Sequence, residues 1–410
     1  MSTILERSAA ATALNPGVAV KVTLVVAGFM PMLGGASVAP ALPAVREAFA
    51  GTPNAAMLTG MVLSTHALAI LLFSTLAGYL GDRFGRKPML TTGLIGFAVA
   101  GTSGFYLPDL PTILVGRFAL GLSIALIMTS ITALIGDLFD DETRQKLLSR
   151  QFAAATAGGV IFMLFAGTLA TLGWREAFLI YAVGALMLLP VLVFVPKLRP
   201  ALAAKSAAGE GDAHEAKLGL WLVAPVTAMF LAQVLFYIIP TQIPGMLNSE
   251  FGANPFQTSL AIAIMSLTMA PAALAFSRIR RVGNSATIVA LAFVFPIAGF
   301  AIVAIAPNVV TVVLGLMCAA TGMGFTGPNI NNWVVASAPT RLRGRATGVL
   351  TTGMFLGQFL SPVTTQPLID VVGLRPTFGC IAGLSAAVVV GFYILGRRMD
   401  RGPRLTERAV

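Results

Sequence analysis

Charged residues are scarce in this chain of 410 residues. Only 10% of them are Asp, Glu, Lys or Arg, against about 25% in a typical soluble protein. Hydrophobic residues make up 57%, more than a soluble domain of this length could hide from water. The composition therefore excludes a soluble domain and indicates a protein embedded in a membrane.

Acidic residues and histidines are fewer still, with 16 Asp and Glu and 2 His. No Asp or Glu lies near the middle of any long apolar stretch, so the ionisable groups expected at that depth are His66 and Arg117. Such groups are costly inside a bilayer and are functional candidates. Among them, His66 titrates nearest neutral pH.

Cysteine is also rare. Cys318 and Cys380 each lie inside an apolar stretch, so we expect two free, buried thiols and no disulfide. The residues before position 22 lack a signal-peptide cleavage pattern, so the first apolar stretch is expected to be retained.

Long stretches without charge dominate what is present. A helix of about 20 apolar residues crosses the hydrocarbon core, where backbone groups must bond within the helix. These stretches predict an all-α membrane protein with twelve transmembrane helices, here numbered spans 1 to 12. They cover residues 22–45, 48–81, 88–108, 118–136 (completed by 110–116), 151–174, 177–196, 218–249, 251–277, 282–340 (two helices), 346–369 and 376–396.

The basic residues are distributed unevenly. All of the 27 Lys and Arg except Arg46, Arg117, Arg175 and Arg375 fall at the two termini or in the loops after even-numbered spans. Basic loops stay on the cytoplasmic side, so we expect both termini in the cytoplasm. This explains the net charge of +11 without nucleic-acid binding.

The two halves of the chain resemble each other at an offset near 200 residues. Gly173-Trp174-Arg175 recurs as Gly373-Leu374-Arg375. We expect two pseudo-symmetric six-helix bundles, at residues 1–197 and 218–410, joined by a polar cytoplasmic linker at 198–217 and ending in a basic cytoplasmic tail. Repeats of this kind are typical of secondary transporters.

The loop between spans 2 and 3 reads Gly-Tyr-Leu-Gly-Asp-Arg-Phe-Gly-Arg-Lys-Pro from residue 78 to 88. It closely resembles the G-x-x-x-D-R-x-G-R-[RK] loop of the major facilitator superfamily. Arg117 between two glycines in span 4 resembles the family's second motif, and Gly173-Trp174-Arg175 resembles a turn of its bacterial drug and metabolite exporters. The resemblance implies the fold of that family (MFS) and an alternating-access transporter.

In that family the matching loop residues form a charge cluster that closes the cytoplasmic side. The resemblance therefore implies a gate built from Gly78, Asp82, Arg83, Gly85, Arg86 and Asp137. Gly78 and Gly81 are also expected to allow a neighbouring helix to approach closely. The alternative is that these charges only set topology.

Two residues are candidates for proton coupling. The family's second motif favours coupling or anion binding for Arg117, and the alternative is a structural arginine bonded to carbonyl groups of a neighbouring helix. His66 is a weaker candidate, because a lone histidine in an apolar helix is more often held by packing.

Spans 7, 10 and 11 carry polar and aromatic side chains. In this fold helices 1, 4, 7 and 10 line the cavity, and amides in hydrocarbon need partners, although some amides only join helices. The substrate-cavity candidates are Gln233, Tyr237, Gln242, Asn329, Asn331, Asn332, Trp333 and Gln358.

We therefore expect a secondary transporter rather than an enzyme. The leading hypothesis is proton-coupled export of small amphipathic or organic molecules, and the alternative is proton-coupled import of an organic anion. The chain lacks the phosphate-binding loop of ATPases, so we expect no cofactor or metal, with a proton gradient as energy source. We expect a monomer in the bacterial inner membrane whose partners are the bilayer and a small substrate.

Overall fold

The computed structural model describes residues 16–197, 219–281, 283–339 and 342–401, and throughout these ranges the regular structure is helical. The chain divides into two compact units, Met1–Ala213 and His214–Val410. That boundary falls inside the segment 198–217 that the sequence suggests as a linker. The segment lies outside the described residues, so the linker and the exact bundle limits stay predictions.

Six spans make up the described part of the first unit. Span 1 is broken into Val18–Ala27, Met30–Ala36, a short 3-10 turn at Ala39–Ala41 and Leu42–Ala48; span 2 is Ala55–Phe84; span 3 is Arg86–Gly101, extended by Ser103–Tyr106; span 4 is Leu110–Leu138; span 5 is Asp141–Leu172; span 6 is a 3-10 segment Glu176–Ala182 followed by Val183–Phe194.

The described part of the second unit also has six spans. They are a 3-10 turn Leu220–Leu222 with Val223–Phe251 (span 7), Pro255–Ile279 (span 8), Ser285–Ala304 (span 9), Val309–Ser337 (span 10), Arg343–Val372 (span 11) and Leu374–Arg401 (span 12).

Ten of the helices in the described ranges are long and apolar enough to cross a membrane. Spans 5 and 11 are the other two. Span 5 opens on a charged turn, but its residues 151–172 carry no charge, and span 11 is less apolar because polar residues such as Gln358, Ser361 and Gln366 lie along it. Both are nevertheless as long as their neighbours, and the two units match span for span.

The predicted span over residues 22–45 is confirmed as one crossing, Val18–Ala48, but it is not one continuous helix. The helix stops at Gly28 and again after Ala36, and the pieces that follow have proline in their first positions. Proline has no backbone N–H to give to a preceding turn and fits best where a helix begins. Pro31, Pro40 and Pro43 therefore restart the chain instead of continuing it.

The same helix pairs touch in both units. Spans 1 and 5, 2 and 4, 3 and 4, and 3 and 6 pack together in the first unit, and their counterparts 7 and 11, 8 and 10, 9 and 10, and 9 and 12 do so in the second. Glycines permit the closest approaches: a Cβ at Gly121 would overlap the carbonyl oxygen of His66, and one at Gly324 would lie 2.6 Å from the carbonyl oxygen of Met269. The repeat seen in the sequence is thus a repeat of packing.

The repeated arginine after spans 5 and 11 has the same role in each unit. Arg175 donates to the carbonyl oxygens of Gly104 and Leu107, at 3.1 and 2.8 Å, where span 3 ends. Arg375 donates to Ala306, at 2.9 Å, beyond the end of span 9. A cation at a helix C-terminus bonds its last carbonyl groups and offsets the helix dipole.

One sequence prediction fails at the outer face of span 12. Cys380 is exposed on that face, and Cys318 is partly exposed. Neither thiol is in a disulfide, but neither is fully buried, because an apolar run also contains positions that face outward from the bundle.

Candidate functional site

The loop between spans 2 and 3 brings three of the predicted gate residues together. Arg86 forms an ion pair with Asp82, four residues before it, and its Nε lies 3.6 Å from Oδ2 of Asp137 at the end of span 4. Gly85 has φ of 98°, a conformation that favours glycine, and this turn directs Arg86 back toward span 2. The arginine therefore links spans 2, 3 and 4 at one end of the unit.

The solvent exposure of the three side chains determines how much their ion pairs contribute to stability. The side chain of Arg86 is 24% exposed, whereas those of Asp82 and Asp137 are 63% and 47% exposed. Pairs this open to solvent contribute about 0–1 kcal/mol each. Arg86, which holds both carboxylates, is consequently the residue on which the cluster depends.

The other predicted gate residues lie apart from these ion pairs. Arg83 donates to the hydroxyl of Tyr79 at 3.3 Å in its own helix. A Cβ at Gly81 would lie 3.2 Å from Nη1 of Arg86, but one at Gly78 would meet open space. Within the described part of the first unit, no helix therefore makes the expected close approach at Gly78.

The neighbouring Lys87 was not singled out from the sequence. Its Nζ donates to the carbonyl oxygens of Leu192 and Val195, at 2.8 and 2.6 Å, at the end of span 6. The sequence signal for this contact was a lysine at the start of span 3, in the same unit in which the apolar helix of span 6 ends. It joins span 6 to the same end of the unit as Arg86.

Arg117 is completely buried in the first unit. Its Nε donates to the carbonyl oxygen of Val62 in span 2 at 2.8 Å, and its Nη2 donates to that of Gly34 in span 1. The guanidinium lies over the ring of Tyr181 in span 6, 4.9 Å from the centroid. One side chain of span 4 thus contacts three other spans.

The break in span 1 explains this contact. Gly34 lies in the last turn of Met30–Ala36, where helix carbonyl groups lose their usual partners. Arg117 and the hydroxyl of Tyr181, at 3.4 Å, both donate to that carbonyl oxygen. These contacts match the structural alternative for Arg117 that the sequence left open.

His66 lies beside this cluster and is only 3% exposed. A Cβ at Gly34 would lie 3.3 Å from Cδ2 of its ring, and Arg117 is the charge that acts on it. Among the described residues, Nδ1 of His66 and Nη1 of Arg117 are buried without a hydrogen-bond partner. Such atoms are costly. Nη1 of Arg117 can only donate, so Nδ1 of His66 is the atom of the two that could accept a proton, against the positive charge of Arg117 beside it.

The predicted cavity residues do not form one group. Gln233 and Gln358 join spans 7 and 11, with Nε2 of Gln358 3.2 Å from Oε1 of Gln233. Asn329 instead donates to the carbonyl oxygen of Ser285 at 2.9 Å, toward span 9. Trp333 packs edge-on against Phe392 of span 12, with centroids 6.5 Å apart. Amides and rings that face neighbouring helices match the helix-joining alternative.

The remaining four cavity candidates differ in exposure. Tyr237 and Gln242 are buried, whereas Asn331 is exposed and donates to the carbonyl oxygen of Gly327, four residues before it in span 10, at 3.0 Å. Asn332 is half-buried. The second unit thus presents an amide pair between spans 7 and 11 and a separate polar edge on span 10.

Sequence reasoning also missed an ion pair at the opposite end of the second unit. Arg375 contacts Oε2 of Glu250 through Nη2 at 2.6 Å and Nε at 2.7 Å. Glu250 follows the apolar run of span 7 and Arg375 opens span 12, and their separation of 125 residues hides the pair in the sequence. It fastens span 7 to the arginine that caps span 9.

Residues 24–362 match the family model of the Major Facilitator Superfamily. The multidrug efflux pump LfrA of Mycolicibacterium smegmatis is 24% identical over 79% of this chain and 75% of its own length. The quinolone resistance protein NorA of Staphylococcus aureus is 23% identical over 88% and 93%.

Solved structures give the same fold. A D-xylose–proton symporter superimposes with a TM-score of 0.74 at 17% identity, covering 91% of this chain and 97% of its own. A POT family transporter reaches 0.74 at 14% identity, over 92% and 96%. With a family match across most of its length and the twelve-helix fold, the chain belongs to the Major Facilitator Superfamily and is a multi-pass membrane transporter with exporter-like relatives, not an enzyme.

Proposed function

We propose that the chain exports small amphipathic organic molecules in exchange for protons, by alternating access and as a monomer. The observation that carries this proposal is the similarity, over most of the chain, to proteins named as a multidrug efflux pump and a quinolone resistance protein. The cluster around Arg86 supports the gating part of this cycle, and His66, beside the positioning residue Arg117, is the candidate for its proton-coupling part. The named neighbours of known structure include a proton symporter, so the proposed direction rests on the relatives in sequence.

Import of an organic anion is the second hypothesis. It needs Arg117 to pair with the substrate, but this guanidinium is fully buried and already donates to two carbonyl groups. An anion could reach it only after the contact with span 1 is broken. The geometry therefore favours a neutral or weakly charged substrate over an organic anion.

Transport in everted membrane vesicles tests the proposal. We expect an imposed pH gradient, acidic inside, to drive uptake of neutral and monovalent dyes. Dications should be moved poorly, because the sequence has no Asp or Glu near the middle of its long apolar stretches to offset the charge of Arg117. Vesicles without the protein, and vesicles treated with a protonophore, are the controls. Accumulation of an anion by intact cells, with no uptake into everted vesicles, would instead support import.

We also propose that both termini lie in the cytoplasm of a bacterium, with the protein in its inner membrane. Contacts within the first unit support one common basic end: Lys21 lies 5.7 Å from the ring of Phe139 after span 4, and Lys87 bonds the end of span 6. A periplasm-active reporter fused after residue 401 should be silent, and the same reporter inserted after residue 108 should be active. The reverse pattern would invert the topology.

A further inference from the structure

In the second unit, span 8 ends in a cluster of arginines that lacks the acidic partners of Arg86 in the first unit. Arg278, Arg280 and Arg281 lie at the end of span 8 and are all exposed. Among the described residues, none of the three forms an ion pair with a carboxylate. Three like charges held this close together repel one another unless an anion lies between them.

The repeat shows which groups are missing. Asp82 is the third residue from the end of span 2, and Ser277 is third from the end of span 8. Asp137 is the second-last residue of span 4, and Ala336 is the second-last of span 10. Both carboxylates that hold Arg86 are therefore absent at the corresponding positions of the second unit.

The end of span 12 adds to the basic character. Nδ2 of Asn284, three residues after Arg281, donates to the carbonyl oxygen of Gly396 and to Oδ1 of Asp400, both at 2.8 Å. This bond holds the loop after span 8 against the segment that carries Arg397 and Arg398. Five arginines thus lie on the two segments that Asn284 joins, and Asp400 of the second segment already accepts from Asn284.

Apolar side chains border the same cluster. Tyr393 and Ile394, one turn before the two arginines of span 12, are 45% and 47% exposed, and Arg397 donates to the hydroxyl of Tyr393 at 2.8 Å. An exposed aromatic ring beside arginines is the arrangement found where a membrane helix meets the headgroup layer. A ligand that fits here has an anionic head and an apolar body.

We propose that this basic end, formed by the arginines at the ends of spans 8 and 12, binds the headgroup of an anionic phospholipid. The lipid phosphate takes the place that the carboxylates of Asp82 and Asp137 occupy in the first unit. Clusters of arginine beside a membrane helix attract anionic lipids, and planar guanidinium groups suit phosphate oxygens. The proposal is independent of the substrate and of the direction of transport.

Lipid retention by the purified full-length protein tests this site. The probes are dioleoyl phosphatidylglycerol and dioleoyl phosphatidylcholine, measured by native mass spectrometry across a concentration series. We expect the wild type to prefer the phosphatidylglycerol, and the variant R278Q/R280Q/R281Q to lose affinity for it by roughly fivefold per arginine removed. Phosphatidylcholine binding should not change.

The matched control removes three positive charges from the first unit, in R144Q/K146Q/R150Q. Arg144 and Lys146 have acidic partners in Asp141 and Glu142, so we expect little change in lipid affinity. An equal loss of phosphatidylglycerol affinity in both variants would mean that general surface charge attracts the lipid, and it would contradict a specific site. Thermal unfolding in detergent verifies that each variant is folded.

A second variant keeps every arginine. S277D/A336D restores the two carboxylates of the first unit, and we expect it to weaken phosphatidylglycerol binding because the arginines gain internal partners. Unchanged binding would contradict the proposal, and so would complete displacement of the lipid by millimolar inorganic phosphate. The acidic residues of the linker are the other candidate partners of these arginines, and the variant E210Q/D212N/E215Q removes them. Lipid binding that appears only in this variant would mean that the linker, and not a lipid, pairs with the arginines in the wild type.

Discussion

Replacing Arg117 with Leu or Gln is expected to destabilise the first unit and abolish transport. The side chain is fully buried and donates to carbonyl groups of Val62 and Gly34. Hydrogen bonds from a charged donor contribute about 1.5–3 kcal/mol each, so the loss of two is a large fraction of the stability of a typical domain. Thermal unfolding in detergent should show a clear fall in Tm, and proteoliposomes should show no gradient-driven flux.

Lysine at the same position provides the sharper comparison. Arg117→Lys keeps the charge, but one ammonium group cannot reproduce the planar fork that reaches two carbonyl oxygens on different helices. We expect it to resemble Arg117→Gln in Tm. Arg83 is exposed, donates to Tyr79 of its own helix and lies over the ring of the adjacent Phe84, so Arg83→Gln is the control and should leave Tm nearly unchanged.

The two roles considered for Arg117 differ in exchange assays. A positioning arginine is needed in every step that moves span 1, so substrate exchange without a proton gradient should be lost together with net transport. An arginine needed only for coupling would leave exchange intact. Normal Tm and normal exchange in Arg117→Gln, with gradient-driven flux lost, would contradict the positioning role.

The spans were predictable because charge cannot remain in hydrocarbon. Most helix ends therefore lie close to the charged residues that bound each run, as at Arg86 and Arg175. The breaks in span 1 were missed although Pro31, Pro40 and Pro43 stood in the sequence. Prolines also occur inside the unbroken helix of span 7, so composition alone does not tell a restart from a tolerated proline.

The direction of polar side chains was beyond the sequence. Asn329 and Trp333 lie on a helix with a polar edge, yet they contact spans 9 and 12. The rotation of span 10 is set by close packing of its own glycines, such as Gly322, against Ala292 and Pro296 of span 9. By contrast, the contacts of Arg86 with Asp82 and Asp137 follow from a short loop and a positive-φ glycine. Contacts within a short loop could be predicted from the sequence, whereas the packing of helices that are distant in the sequence could not.

Replacing Arg86 with Gln is expected to slow transport about tenfold without preventing insertion. Two ion pairs are lost at once, and exposed pairs of this kind contribute about 0.2–1 kcal/mol each. A total of about 0.4–2 kcal/mol changes a two-state equilibrium by roughly 2–30-fold, which matters when the inward- and outward-open states differ by only a few kcal/mol. Asp82→Asn removes one pair and should slow transport only about two- to fivefold.

The test compares initial rates in proteoliposomes at equal protein content for Arg86→Gln, Arg86→Lys, Asp82→Asn and Arg83→Gln. Arg86→Lys keeps a charge between the carboxylates and should fall between the wild type and Arg86→Gln, while Arg83→Gln should match the wild type, because Arg83 bonds Tyr79 and not the acids. The double variant D82N/D137N removes the same two pairs from the other side and should be as slow as Arg86→Gln. If Arg86→Gln transports at the wild-type rate while Arg83→Gln is slow, the cluster around Arg86 is not the gate, and the charges of this loop only orient the protein in the membrane.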